Sequence, residues 1–299
     1  MLSIVISSYQ QNYYDQLVKN ISETIGEDFR YEIIQIWNPN TMSITKAYNL
    51  GAEKAQFENL LFLHEDLVFH TKNWGAKLIQ HFSIPNVGVL GLAGSNYVPA
   101  APCSWTVTEK YNFINILQGN KDNQEVVLLN RTQANINPVF AVDGVFLAIR
   151  KEVYHQFRFD ENITGFHGYD LDFSLRVSKK RQNFIIDNIL VEHFSKGSPD
   201  KNWFDTNILI KQKMGSDFQK QKDRETEKKI FLSFLHGYFR YYPVTLKNIG
   251  FTLQFFPMKS LIFKDYFSIT KKYVSYIKYS SQINKKIKGA YTPSKNIHK

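Results

Sequence analysis

The chain predicts an α/β fold built on a mainly parallel sheet. Three observations carry that prediction. A strand–helix–strand alternation fills residues 3–37, and an apolar run at 60–63 stops in two carboxylates. Residues 140–176 then place an Asp-Gly step, an apolar strand, a short helix and an acidic helix start close together.

Each element has a local cause. Residues 3–7 and 31–37 are rich in Ile, Val and aromatics, and between them Tyr14, Leu17, Val18, Ile21 and Ile25 recur at helical spacing. Such a βαβ unit pairs its strands in parallel. Asn38-Pro39-Asn40 breaks the chain at the carboxyl end of the second strand. Ser43 is placed to cap a helix over 43–55. Residues 60–63 are apolar throughout, as a strand covered on both faces requires. A helix over 74–82 and a strand over 87–92 follow, and residues 91–135, with Pro99 and Pro102, read as a long irregular excursion. Strands at 138–142 and 145–150, helices at 151–157 and 170–180, and strands at 183–186 and 189–192 complete the alternation and lead to His193. No internal repeat is present.

At 299 residues with 43% hydrophobic and 15% aromatic side chains, the chain can bury a sizeable core. The single Cys103 excludes a disulfide framework and fits a reducing compartment. Met1 leads directly into an apolar strand with no basic residues before it, so no secretory signal is expected and a cytoplasmic location follows. Charge is unevenly distributed. Residues 201–299 hold 20 Lys and Arg against 6 Asp and Glu, whereas residues 1–200 hold 17 against 21. A basic end on a slightly acidic body implies an anionic partner for that end, such as lipid headgroups. The acidic body argues against nucleic acid.

Around residue 205 the alternation stops, giving a domain over 1–205 and a basic, mostly helical region over 206–299. Residues 217–229 read as a charged, solvated helix. Residues 231–267 are dense in aromatics but interrupted by Arg240, Pro243, Lys247, Pro257, Lys259 and Lys264, which forbids a spanning helix. Two readings stay open there: a segment lying in the headgroup plane, peripheral to the inner face of a membrane, or a helical subdomain decorated with lysines. Residues 283–299 are polar and basic, and are expected to fray.

Ligands of parallel sheets sit beyond the carboxyl ends of the strands. Ser7-Ser8-Tyr9, Asn38 and His64-Glu65-Asp66 occupy such ends and should converge on one crevice. Neighbouring carboxylates there suit Mg²⁺ or Mn²⁺ on a diphosphate, although acidic pairs also close turns. Asp170 opens a helix, where it can serve as a base or simply cap; the helix dipole is expected to hold it ionised. Asp172 and Arg176 are spaced for a helix-surface ion pair. Trp105 and Tyr97 can stack on a ligand or pack in the core. His193 can be a ligand or a structural histidine. Lys196 can reach a phosphate or stand as an exposed loop charge.

These motifs resemble those of GT-A glycosyltransferases of the bacterial family-2-like kind, over roughly residues 2–195. The opening strand and Ser7-Ser8-Tyr9 stand where that family holds the nucleotide base. Lys46-Ala47-Tyr48-Asn49-Leu50-Gly51 stands for its basic residue and Asn-x-Gly, and Leu61-Phe62-Leu63-His64-Glu65-Asp66 for the strand ending in an Asp-x-Asp metal motif. Here the first Asp is a His. Asp143-Gly144, Phe159-Asp160-Glu161 and Gly168-Tyr169-Asp170-Leu171-Asp172 follow in family order, with Tyr169 in place of the usual Glu.

The resemblance implies transfer of a sugar from a nucleotide-diphosphate donor to a glycan or lipid-linked acceptor in surface polysaccharide or glycoconjugate synthesis, with inversion and a metal. It implies Asp66, Glu65 and His193 as metal ligands and Asp170 as catalytic base. It places Ser7, Ser8, Tyr9, Asn38, Lys46, Asn49, Glu65, Asp143 and Gly144 on the donor, and Trp105 and Tyr169 on the acceptor. The alternatives are a sugar-phosphate nucleotidyltransferase, whose Gly-rich phosphate loop has no counterpart in residues 7–13, and a non-catalytic membrane- or nucleic-acid-binding protein.

Overall fold

The computed structural model of the chain describes residues 1–119, 127–194, 199–218 and 223–290. Contacts divide the chain into two units, one comprising Met1–Val98 with Ser104–Thr206 and the other Pro99–Cys103 with Asn207–Lys299.

The larger unit holds β1 (Leu2–Ser8), α1 (Gln11–Thr24), β2 (Tyr31–Trp37), α2 (Ile44–Lys54), β3 (Asn59–Leu63), β4 (Leu67–Phe69), α3 (Trp74–His81), β5 (Val87–Gly91), β6 (Ala93–Ser95), β7 (Asn112–Gln118), β8 (Val127–Asn130), β9 (Ile136–Val139), β10 (Ala141–Val142), β11 (Phe146–Arg150), α4 (Lys151–Phe157), α5 (Tyr169–Ser178), β12 (Gln182–Ile186) and β13 (Val191–His193). Seven strands form one sheet in the order β2-β1-β3-β11-β5-β12-β9. It is mixed: β1 runs parallel to β2 and β3, and β12 to β5, while β11 is antiparallel to β3 and β5, and β9 to β12. A second sheet runs β10-β6-β7-β13-β4, with β8 paired to β7.

The unbroken apolar strands have a direct explanation. Leu61 and Leu63 of β3 face one core with Leu17 and Ile21 of α1 and Trp74 of α3, whereas Leu60 and Phe62 face the other with Tyr48 of α2, Tyr154 of α4 and Phe173 of α5. A sheet covered on both faces has no polar alternation to show. The excursion expected at 91–135 is largely strand: it supplies β6, β7 and β8, with residues 120–126 outside the described residues. The Asn and Gln of β7 suggest a loop, but buried Asn115 spends its amide on the carbonyls of Asp187 and Ile189, both at 2.9 Å. A satisfied polar side chain is tolerated inside a sheet.

Helix α6 (Lys201–Met214) passes from one unit into the other, and the smaller unit continues with α7 (Arg224–Tyr241), α8 (Leu246–Leu253), a short 3₁₀ turn at Met258–Ser260, α9 (Phe263–Lys278) and α10 (Ser280–Ala290). Its aromatics pack on one another: Phe231 against Phe256 at 5.2 Å, Phe234 against Phe255 at 5.3 Å, and Tyr238 stacked on Phe251. The packed-subdomain reading therefore describes α7 and α8. The expected solvated helix is corrected: Asp223 caps α7, and Glu227 is buried, accepting the Ala100 N–H at 3.0 Å. With the Lys211 ammonium 2.6 Å from the Pro99 carbonyl, this ties Pro99–Cys103 into the smaller unit. Fraying is corrected in part too, because α10 is formed and Asn284 brackets Val244 through both its N–H and its carbonyl; residues 291–299 lie outside the described residues.

Candidate active site

Strand pairing brings the motifs together. Ile6 of β1 lies beside Leu63 of β3 in parallel, so Ser7-Ser8-Tyr9 and His64-Glu65-Asp66 leave the sheet at the same end. Phe146 of β11 lies opposite Leu63 in antiparallel, so Asp143-Gly144 enters the sheet at that end. His193 of β13 pairs with Leu67 of β4, and the Phe194 N–H donates to the Asp66 carbonyl at 3.2 Å. Four distant segments thus meet, two of them at a cleft of about 200 Å³ lined by Ser7, Tyr9, Gln10, Ile44, His64, Glu65, Asp66, Phe166 and Tyr169.

Beside it, His64, Asp66 and His193 each offer a ligand atom within 4.8 Å of the others, and the first two line the cleft. His193 Nε2 is 3.6 Å from Asp66 Oδ1, and the two imidazoles are 5.6 Å apart, centre to centre. The Tyr169 hydroxyl lies 2.8 Å from His64 Nε2 and fixes that ring. Burial, reinforced by the neighbouring His193, lowers the His64 pKa, which keeps the imidazole neutral and able to ligate. Two imidazoles and a carboxylate at this spacing fit a divalent cation. Glu65 is outside that cluster. Its Oε2 accepts the N–H groups of Tyr9 and Gln10 at 3.0 and 3.1 Å. Helix α1 has no side-chain cap of its own, so Glu65 places a carboxylate where the helix N-terminus favours negative charge.

Asp170 stands in the first turn of α5, after Gly168 at φ +74°. Its Oδ2 accepts the Gly144 N–H at 3.0 Å, and Ser174 joins its carbonyl to the Val142 N–H. Burial and the Asp143 carboxylate raise its pKa to about 7, against the lowering effect of the Leu171 and Gly144 N–H groups. Desolvation thus outweighs the helix N-terminus, the reverse of the sequence expectation. The same Asp143 also acts electrostatically on His64, after burial, His193 and Asp66. Gly144 allows the close approach: a Cβ there would stand 2.0 Å from the Tyr169 hydroxyl oxygen.

The remaining sequence-derived residues have other surroundings. Ser7 and exposed Tyr9 line the cleft, but buried Ser8 accepts from Gln35 at 2.9 Å. Asn38 is buried and closes the turn 38–42 through the Thr41 and Met42 N–H groups and the Met42 carbonyl. Asn49 is buried, its amide on the Phe159 carbonyl and Glu161, its oxygen on the Tyr154 hydroxyl and the Phe159 N–H. Lys46 is exposed on the first turn of α2, where its N–H meets the Ser43 cap. Trp105 packs against the core, and Tyr97 against Tyr111 at 4.5 Å. Tyr169 is buried against His64 while still lining the cleft. The Asp172–Arg176 pair forms at 2.7 Å, but with Asp172 fully buried and Arg176 also reaching the carbonyls of Phe157 and Arg158. Lys196 lies outside the described residues. The sequence-based ligand set omits His64, although that residue opens the tripeptide at the tip of β3. Gln10, Ile44 and Phe166 were missed as cleft residues, and of these Phe166 left a signal, an apolar residue beside Gly165, whose φ is +81° and whose carbonyl accepts the Ile44 N–H.

A mixed α/β sheet with a cleft at its strand tips is the architecture of GT-A glycosyltransferases. The N-terminal part of S. aureus TarS, residues 1–349, superposes with a TM-score of 0.50 at 12% identity, over 87% of this chain and 82% of that one. The same TarS segment in complex with UDP-GlcNAc gives 0.51 at 12% identity over the same shares. GalNAc-T7 with UDP, GalNAc and Mn²⁺ gives 0.49 at 13% identity, over 71% of this chain, which spans 47% of that one. No curated protein matches in sequence. Residues 3–233 match the model of the glycosyltransferase-like family, and the chain belongs to that family.

Proposed function

We propose that the protein transfers a sugar from a nucleotide-diphosphate donor to a hydroxyl of a glycan or lipid-linked acceptor, with inversion, in glycoconjugate synthesis. The observation that supports this most is the grouping of His64, Asp66 and His193 where β3 and β13 end, with Tyr169 on His64 and Asp143 acting on both His64 and Asp170. His64, Asp66 and His193 would hold the cation. Two nitrogen ligands favour Mn²⁺ over Mg²⁺, which prefers an all-oxygen shell. When bound, such a cation stabilises the charge that builds on the departing diphosphate.

The chain's own residues do the rest. Tyr9, an exposed aromatic on the cleft, offers a face to the nucleotide base, beside Ser7. Glu65 fixes the backbone on which Tyr9 sits. Asp170 takes the proton of the acceptor hydroxyl as its oxygen attacks the anomeric carbon, opposite the leaving nucleotide; a carboxylate with a pKa of about 7 suits a base at neutral pH. Bond formation there while the bond to phosphate breaks inverts the anomeric centre. The TarS complex makes UDP-GlcNAc the donor to test first. The described residues contain no helix long and apolar enough to cross a membrane, and we place the reaction in the cytoplasm, at or near the membrane surface that presents such acceptors.

Thermal-shift measurements with UDP, GDP, CMP and their sugar conjugates, with and without Mn²⁺, should show Mn²⁺-dependent stabilisation by one nucleotide. Asp170→Asn should lower transfer by about 10²–10⁴-fold and leave that stabilisation in place. Normal transfer by this variant would remove the base assignment.

A further inference from the structure

We propose that α9 docks the protein on an anionic lipid surface through its exposed apolar stripe. The helix has two apolar faces. One is packed: Asp265 and Ile269 are buried, the Tyr276 ring lies 4.7 Å from Phe239, and the Tyr273 hydroxyl is 2.8 Å from Thr252 Oγ1. Across the helix stand Phe263 (88% exposed), Phe267 (58%), Val274 (58%) and Ile277 (52%). At 3.6 residues per turn these four fall within an arc of roughly 80°, away from the packed face. Met258 (65%) and Ile262 (49%) extend the apolar surface past the helix start, where the Tyr266 hydroxyl holds the Met258 carbonyl at 2.7 Å.

Charge identifies the occupant. Lys264, Lys271 and Lys278 recur every seventh residue and fall beside the apolar arc, with the Lys271 ammonium 4.4 Å from the centre of the Phe267 ring. Residues 263–290 carry seven lysines and a single acid, Asp265, which is engaged by Arg224 and Lys228. Protein interfaces deplete lysine around their apolar centres, whereas a helix with apolar residues on one arc and lysines at its border is what lies in a headgroup layer. Val274 and Ile277 offer aliphatic rather than stacking contacts, which favours acyl chains over nucleobases. The inference does not depend on the sugar-transfer reading, because its test needs no turnover.

The test is flotation of the full chain with vesicles of phosphatidylcholine alone or with phosphatidylglycerol added. Binding should appear with the anionic lipid, weaken as salt is raised, and fall by at least about tenfold in Phe263→Ser/Phe267→Ser. Both positions are exposed, so melting by circular dichroism should be unchanged. Lys264→Glu/Lys271→Glu should lose the preference for anionic lipid without altering the fold. Equal flotation of the Phe variant and the parent overturns the proposal. So does an absence of flotation accompanied by sedimentation of a dimer that the Phe variant abolishes, or by a gel shift with RNA.

Discussion

Two buried acids in this molecule have opposite surroundings. Asp265 of the smaller unit is clasped by Arg224 at 2.5 and 3.1 Å and by Lys228 at 2.9 Å, permanent cations that complete its charge balance. Asp66 of the larger unit has His193 at 3.6 Å and His64 in the same cluster, and burial drives His64 toward its neutral form. Asp143 and Asp170 add further acid nearby. The first arrangement is complete within the protein and serves to hold α9. The second groups a carboxylate with two imidazoles, a donor set that fits a divalent cation.

Substitution should separate the two. Asp66→Asn should lower transfer by orders of magnitude and weaken Mn²⁺ binding by about 10–100-fold, read by Mn²⁺ titration of nucleotide-induced melting. Asp265→Asn should instead lower the melting temperature and leave the Mn²⁺ response intact. Were both variants to behave alike, the contrast would vanish. A smaller effect is the pH profile. With Asp170 required as the ionised base, turnover should rise about tenfold per pH unit up to about pH 7 and level off above it. The sign for stability is opposite. A carboxylate whose folded pKa lies above its unfolded value near 3.8 makes the native state less stable as pH rises from about 4 to about 7. Asp170→Asn should flatten that slope in melting curves. Smallest is Gly144→Ala, which should cost about 1–3 kcal/mol through overpacking against Tyr169, seen as a lower denaturation midpoint.

Much of this site is written in the chain. Strands covered on both faces announce themselves as apolar runs, and a run that stops in polar residues marks a tip, so His64-Glu65-Asp66, Ser7-Ser8-Tyr9 and Asp143-Gly144 could be placed at one end. Which way each side chain turns is another matter. Glu65 and Asp66 are equivalent in composition, yet one serves the loop before α1 and the other the histidines, and only strand pairing decides between them. Asn38 and Asn49 were legible as important, but their bonds run to Met42 and Phe159, partners that a polar side chain does not reveal in advance. Strand β7 was hidden because its amides satisfy carbonyls far along the chain. Pro99–Cys103 joins the smaller unit through Glu227 and Lys211, contacts more than a hundred residues away.

The tripeptide His64-Glu65-Asp66 acts as a gauge. One side chain in it positions the backbone under Tyr9, while its two neighbours gather with His193, so the spacing between the Tyr9 loop and that cluster is set by adjacent peptide units. Inserting a single residue after Glu65 would leave the anchor of that loop in place and carry Asp66 away from the imidazoles. Such a lengthened chain should keep β3, which ends before this point, and the hold of Glu65 on Tyr9, and lose the grouping of Asp66 with His64 and His193.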